Sequence, residues 1–407
     1  MSPSDGEDGP VISVDDYRDR VAALLGTAPA TTLPLAAAAG LVLAEDVRAG
    51  VSLPPFDNSA MDGYAVRAAD VTEVPVTLPV ADDIPAGRVD VRPLEPGTAH
   101  RIMTGAPLPP GADAVVMVED TDGGTATVTI SAAAREGAHI RRSGEDVRKD
   151  SVALPAGTVL GHSQLGLAAA VGFAEVPVHR PLRVVVASTG TELIDAPAPL
   201  RHGQIYESNS VMLAAAIRGL GCAVEVVRSV VDDVGEFRKV IEPKLAGADL
   251  LVTSGGVSAG AYEVVKDALT GQGVEFGKVA MQPGGPQGCG HWQGVPVVAL
   301  PGNPVSVLVS FEAFLRPALL AAMGHTDVSR RRVRARLTEA MTSPAGRRQY
   351  RRGVFTPSER EVTGVVGPRG GPGSHLLAAF TQANCLIVLP EDVTSAAVGD
   401  EVDVLLL

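Results

Sequence analysis

The stretch from residue 183 to 300 constrains the fold more than any other part of the chain, because short apolar runs alternate there with amphipathic ones. Residues 183–188 (RVVVAS) read as a buried strand, too uniformly apolar to keep a solvent face. A helix over 208–220 stops at Gly221, a second strand covers 223–231, and another helix follows Asp233. The strand 250–253 runs into SGGVSAG. A helix from Tyr262, strands near 274–279 and 295–300, and a long helix after PGNP complete the series. Strands alternating with helices predict a parallel, doubly wound sheet with helices on both faces. Ligands of such sheets sit beyond the carboxyl ends of the strands. The loops TGTEL, SGGVSAG and PGNP all fall there.

The flanking regions differ in texture. Residues 14–25 read as a helix opened by Ser13, with Asp15 and Asp16 in its first turn, where the helix dipole favours them. From 49 to 142 the chain is rich in Pro and Gly with short Val/Leu runs, which predicts a small β-rich module. Residues 144–180 mix turns with a helix at 163–171. If that helix packs against the N-terminal one, the β-rich module is an insertion. From 331 to 407, short alternating strands with Gly and Pro turns predict a barrel or a sandwich.

Composition narrows the function. The net charge of −13 argues against nucleic acid or an anionic membrane as partner, so an anionic substrate needs a local cluster of donors. The start, MSPSDGEDGP, lacks the basic-then-apolar order of a signal peptide, and no uninterrupted apolar run approaches the ~20 residues that span a bilayer. Cys222, Cys289 and Cys385 are far apart and lack metal-type spacing. A cytoplasmic protein with reduced cysteines is expected. The histidines form no HxH or HExxH arrangement and no nucleophile elbow is present, which disfavours zinc and Ser-His-Asp chemistry.

Several groups remain for chemistry. Ser254, Gly255, Gly256, Ser258 and Gly260 form a glycine loop that can approach a phosphate closely, although a plain tight turn would also explain it. In PGNPVS, Asn303 can cap the following helix, Pro304 suits its first turn, and Gly302 permits an unusual backbone angle. Carboxylates collect at chain breaks: Asp57, Asp62, Asp146, Glu192, Asp232 and Glu263. Of these, Glu192, Asp232 and Glu263 lie at the active edge of the predicted sheet, where oxygen ligands suit Mg²⁺. Arg141, Arg142, Arg347, Arg348, Arg351 and Arg352 offer cations, with solvated surface as the blander alternative.

The segments PPFDNSAMDGYA, RIMTGAPLPPGADAVVMVED, IRRSGEDV, STGTEL, SGGVSAG, LPGNPVS and GSHLLAAFTQANCLIVLP occur in this order. Together they resemble the molybdopterin molybdenumtransferase family, the bacterial MoeA proteins and the E domain of gephyrin, from about residue 12 to the C-terminus. The resemblance implies a two-segment elongated domain (12–48 and 144–180), an inserted β module (49–143), an α/β domain related to pterin adenylyltransferases (181–328) and a C-terminal β-barrel (329–407). It implies a homodimer whose site lies between the α/β domain of one subunit and the inserted module of the other. The implied reaction takes adenylylated molybdopterin and molybdate, with Mg²⁺, and releases AMP and the molybdenum cofactor. Handoff partners would be an adenylyltransferase and molybdoenzymes. By motif, Asp57, Asn58, Ser59, Asp62, Thr104, Gly105 and Asp146 carry the site in the first half of the chain. Glu192, Asp232, Gly255, Gly256, Ser258, Pro301, Asn303, Pro304 and Ser306 carry it in the second. Asp232 and Glu192 are expected to position metal or water, and the glycine loop the pterin phosphate.

Two departures from the family pattern stand out. Glu263 replaces an Asp, and QPGGP puts Gln282 and Gly285 where relatives often carry lysines, while Lys278 remains. Lost cationic donors weaken anion binding. Two other readings compete: a pterin adenylyltransferase, which leaves the first 180 residues and the barrel unexplained, and a non-catalytic dimeric scaffold, which has no need of the carboxylate set.

Overall fold

The computed structural model describes residues 11–230, 233–257, 263–358 and 363–407, which fall into two compact units. One comprises Thr32–Ala39 and Leu43–Val178; the other comprises Met1–Thr31, Gly40–Val42 and His179–Leu407.

Helix α1 (Val14–Leu24) begins as its sequence dictates, with the Ser13 hydroxyl accepting from the Asp16 amide at 3.0 Å. Its buried stripe, Val14, Tyr17 and Val21, joins the core of the larger unit, where the Tyr17 ring meets Phe314 edge-on at 4.9 Å. An apolar stripe shows that a helix is buried but not against what.

The smaller unit is built on a five-stranded mixed sheet. Its strands are β1 (Gly63–Val66), β2 (Val76–Ile84), β3 (Ala99–Ile102), β4 (Ala114–Met117) and β5 (Thr127–Ile130), in the order β4-β1-β3-β2-β5. Tyr64, Val66, Val116 and Ile130 fill one apolar cluster of this sheet, and Ala65, Ile84, Ile102 and Val115 the other. Helix α2 (His162–Ala170) lies within a residue of its expected place.

The central sheet of the larger unit contains β6 (Arg183–Thr189), β7 (Ala223–Val230), β8 (Leu250–Ser254), β9 (Val274–Lys278), β10 (Pro286–Trp292) and β11 (Val295–Leu300). Helices α3 (Asn209–Arg218), α4 (Val234–Leu245) and α5 (Val264–Leu269) connect them. Asp233 caps α4, its carboxylate accepting from the Glu236 amide at 2.8 Å. The run RVVVAS is apolar at every step because it feeds two cores. Val184 and Val186 pack with α3, whereas Val185 and Ala187 pack with α4 and α5. The doubly wound arrangement holds.

The sheet is not wholly parallel. In the order β7-β6-β8-β11-β10-β9, the first four strands are parallel, and β10 and β9 run antiparallel to their neighbours. Strand β10 (PQGCGHW) was missed because close approach, not apolar alternation, shapes it. A Cβ on Gly290 would stand 2.1 Å from the Gly273 carbonyl oxygen.

After PGNP come α6 (Pro304–Ser310), a π-helical turn over Phe311–Leu315 and α7 (Arg316–Ala322). Pro317 lacks an amide N–H, which accounts for the loosened turn. This stretch of 19 residues, with mean hydropathy 1.6, is long and apolar enough to cross a membrane by length and composition, although Glu312 and Arg316 interrupt its apolar run. It is 72% buried, and Val305, Val307, Phe314 and Leu319 place it in the core beside α1. The C-terminal strands β12 (Arg332–Leu337), β13 (Arg348–Thr356), β14 (Gly364–Pro368), β15 (Cys385–Leu389) and β16 (Glu401–Leu406) close into a barrel. The pairing of β13 with both β14 and β15 completes the ring.

Candidate active site

At the carboxyl ends of the parallel strands, Ser254 closes β8 and the chain enters Gly255 at φ +92, where a Cβ would meet the Thr189 carbonyl oxygen at 2.8 Å. Only glycine fits there. The PGNP turn leaves β11 beside it; a Cβ on Gly302 would stand 3.5 Å from the Gly255 Cα, so the two loops touch. Asn209, the first residue of α3, ties them: its Nδ2 donates to Ser254 Oγ at 2.8 Å and to the Gly302 carbonyl at 2.6 Å. Pro301 is buried and Pro304 opens α6 as expected. Asn303 occupies the cap position, but its side chain makes no capping bond and is exposed. The cap reading gave Asn303 a structural job that it does not perform.

The Gly302–Asn303 turn stands between two clefts, lining both. The first, of about 580 Å³, is lined by Glu192, Glu207, Glu263, Ser254, Gly255, Gly256, Asn209, Pro304 and His375 among others. It contains three carboxylates, and no lysine or arginine among its described lining residues. Glu207 is committed, accepting from the Ser210 amide at 2.8 Å and from its hydroxyl. The second cleft, of about 680 Å³, is lined by Lys278, Arg347, Gln282, Gly285, Ser306 and Ser374 among others, and none of its described lining residues is a carboxylate. In a protein of net charge −13, that separation provides the local donor cluster an anion requires. Gln282 is held by Gln349, whose amide donates to it at 3.0 Å.

Asp232 and Ser258 lie outside the described residues. Helix α5 has six residues and starts at Val264, and of the loop before it Gly255, Gly256 and Val257 line the first cleft.

In the smaller unit, PPFDNSAMDGYA and RIMTGA fold onto each other. Asp57 accepts from the Ser143 amide at 2.8 Å and from Arg142 Nη1 at 2.7 Å; these two bonds, in that order, hold its carboxyl below the usual range. Asp62 accepts from the Thr104 amide at 2.6 Å and its hydroxyl at 2.7 Å, and its pKa is lowered by the amide first and the hydroxyl next. Asn58 is buried, with its Nδ2 donating to the Phe56 carbonyl, while no partner for its Oδ1 is found among the described residues. Ser59 Oγ donates to the Met61 carbonyl at 2.6 Å, and the Gly105 amide donates to the Ser59 carbonyl at 2.8 Å. Asp146 is exposed, and its amide donates to the Leu53 carbonyl at 3.0 Å. The motif therefore groups two ionised carboxylates, Asp57 and Asp62, with Thr104, Asn58 and Ser59.

The arginines divide. Arg348 is bound to Asp15 at 2.9 and 2.7 Å and to Glu391 at 3.0 Å. Arg352 is buried and donates to the carbonyls of Gly371 and Gly373. Arg347 is exposed and lines the basic cleft. Sequence reasoning did not single out Asn209, Ser374 or His375. Asn209 looks like an ordinary helix-start residue, and Ser374 and His375 reach the clefts from the barrel half of the chain. All three cysteines are buried and free, and burial pushes the Cys222 thiol up to about 12 and Cys385 to about 11, which removes them as nucleophiles.

A doubly wound domain with a glycine loop at its strand ends, an acidic cleft and a basic cleft defines an enzyme that handles a phosphate-bearing ligand together with an anion. Residues 12–172 match the MoeA N-terminal region (domain I and II), 185–321 a probable molybdopterin binding domain, and 334–407 the MoeA C-terminal region (domain IV). The chain is 52% identical over 403 residues to molybdopterin molybdenumtransferase 2 of Mycobacterium tuberculosis, covering 96% of this chain and 98% of that protein. It is 38% identical to the molybdopterin molybdenumtransferase of Haemophilus influenzae, over 91% and 92% of the two chains. A MoeA protein structure from Pyrococcus horikoshii superimposes with a TM-score of 0.81 at 27% identity, covering 98% of this chain and 100% of that one. The chain belongs to the MoeA family of molybdopterin molybdenumtransferases.

Proposed function

We propose that the protein inserts molybdate into adenylylated molybdopterin, releasing AMP and completing the molybdenum cofactor. The observation that carries this reading is the pair of oppositely charged clefts sharing the Gly302–Asn303 wall. The reaction needs a phosphoanhydride and an oxyanion side by side. The anion assists cleavage of the phosphoanhydride, and the dithiolene then captures the metal. Positioning and electrostatics supply most of the acceleration, as in other phosphoryl chemistry.

In this reading Ser254, Gly255, Gly256 and Ser258 hold the pterin phosphate with backbone and hydroxyl donors. Lys278, Arg347 and Ser306 hold molybdate, with Arg347 offsetting the lysines that Gln282 and Gly285 replace. Pro301, Gly302, Asn303 and Pro304 form the shared wall. Asp57, Asp62, Asp146 and Glu263 act on the substrate, with Asn58, Ser59, Thr104 and Gly105 shaping the ground beneath them.

The acidic cleft offers carboxylate oxygens with one imidazole, His375, and the described residues contain no group of three or more His, Cys, Asp or Glu able to enclose a metal. Such an open site fits Mg²⁺, which takes one or two carboxylates and completes its shell with phosphate oxygens and water. Glu192 and Asp232 would hold it, and when bound it would neutralise charge on the phosphoanhydride. The working form is a cytoplasmic homodimer. Its chain divides at 49–143, 181–328 and 329–407, with 12–48 and 144–180 forming the two-segment domain.

Purified protein with adenylylated molybdopterin, Mg²⁺ and a molybdate titration tests this directly. AMP should appear in proportion to molybdate, with product able to activate an apo-molybdoenzyme. An adenylylated pterin that binds yet stays intact at every molybdate and tungstate concentration would make the protein a scaffold. Consumption of ATP would make it an adenylyltransferase.

A further inference from the structure

Asn209 is no part of the motif set, yet its side chain bridges the glycine loop and the PGNP turn, beside a longer bond of 3.5 Å that the Ser254 hydroxyl donates to the Pro301 carbonyl. A side chain that caps a helix uses an oxygen to accept a backbone N–H. Asn209 does the reverse: both hydrogens of its Nδ2 are spent, one on Ser254 Oγ and one on the Gly302 carbonyl, while its buried Oδ1 has no partner among the described residues. Its own base is firm. Glu207, buried, accepts from the amide and hydroxyl of the fully buried Ser210 and so fixes the first turn of α3. The two loops it joins follow paired strands, Ser254 lying opposite Leu300 in the sheet, and they touch at Gly255 and Gly302.

We propose that Asn209 is a positioning residue whose amide sets the placement of the wall shared by the two clefts, and therefore the binding of both ligands at once. The inference rests on the two-cleft reading above. Displacing the Gly302 carbonyl moves Asn303 with it, and these two residues face both clefts. An NH₂ group can donate to a hydroxyl oxygen and a carbonyl oxygen together, which neither a hydroxyl nor a carboxyl of similar size can do. A carboxylate at the same place can accept from Ser254 but confronts the Gly302 oxygen with like charge density. Once protonated, it regains one donor.

The test compares wild type, Asn209→Ala and Asn209→Asp, with Kd for AMP and for molybdate measured separately by calorimetry at pH 8 and pH 5.5. AMP-release kinetics are measured alongside. At pH 8 both variants should lose about tenfold in affinity for each probe, the scale of one or two hydrogen bonds to an ordered site. At pH 5.5 Asn209→Asp should recover part of that loss, as its carboxyl begins to protonate and one donor returns, while Asn209→Ala should not. Wild type run over the same range corrects for Glu192, Glu207, Glu263 and His375, which line the acidic cleft. A merely structural role would lower the thermal midpoint of both variants without acid recovery. Loss of affinity for only one probe, unchanged affinities, or an Asp variant without recovery at low pH overturns the proposal. If wild type binds both probes but releases no AMP, the transferase reading fails while the paired Kd shifts still decide the brace. If wild type binds neither, both fall.

Discussion

At the scale of single residues, the clearest case is Asp62. It is exposed, yet its carboxylate takes two hydrogen bonds from Thr104, the amide one at 2.6 Å. Asparagine keeps the shape and can still accept from both donors, but it carries no charge. Asp62→Asn should therefore melt like wild type while its kcat for AMP release falls about a hundredfold, the usual scale for losing a charged group at a reacting centre. Activity within a factor of two would reduce Asp62 to a loop tether. The sequence pointed to Asp62 through its motif context, as a carboxylate at a chain break in PPFDNSAMDGYA. It could not disclose Asn209. Nothing in ESNSVML distinguishes an amide that braces two remote loops from one that starts a helix, since the partners Ser254 and Gly302 are 45 and 93 residues away.

At the scale of elements, the glycine loop makes the sharpest demand. Alanine at Gly255 would combine a left-handed backbone with a Cβ at 2.8 Å from a carbonyl oxygen. Gly255→Ala should cost about 1–3 kcal/mol in urea unfolding and weaken AMP binding in the same sample. Unchanged unfolding would mean that the loop can relax away from Thr189. The helix and strand pattern from β6 to β11 was readable because buried strands and amphipathic helices impose different apolar spacings. Strand β10 was not, since its glycines answer to neighbouring backbone rather than to burial. The membrane-length apolar stretch from α6 to α7 was likewise ambiguous by composition; only its neighbours identify it as core.

For the whole molecule, the contact between the two ends of the chain is informative. Asp15 on α1 and Arg348 on β13, 333 residues apart, form a two-pronged ion pair. The hydrogen bond from Arg348 is the largest influence on Asp15 and helps hold its pKa at about 2, against 3.8 for the free group. The folded state thus binds its proton less readily than the unfolded chain. The stabilisation is complete above about pH 4 and is lost as pH falls through about 2. Because Asp15 is 55% exposed, the pair is worth less than about 1 kcal/mol at pH 7. Asp15→Asn should lose that much at neutral pH and, in urea titrations between pH 4 and 2, should show a shallower decline than wild type. Equal slopes would mean the pair contributes nothing. Long-range ties of this kind are what sequence patterns leave out, since the apolar stripe of the first helix does not say what it packs against.

The barrel also has a consequence for chemistry. Its residues Pro372, Gly373 and Ser374 border the basic cleft, and His375 borders the acidic one. An α/β domain alone would leave these sides to bulk solvent, where an activated anhydride is open to attack by stray water. In the proposed reaction the final fifth of the chain would then work as insulation, keeping hydrolysis in step with metal delivery. Its characteristic fault would be leakage, in which nucleotide is lost and no cofactor is made.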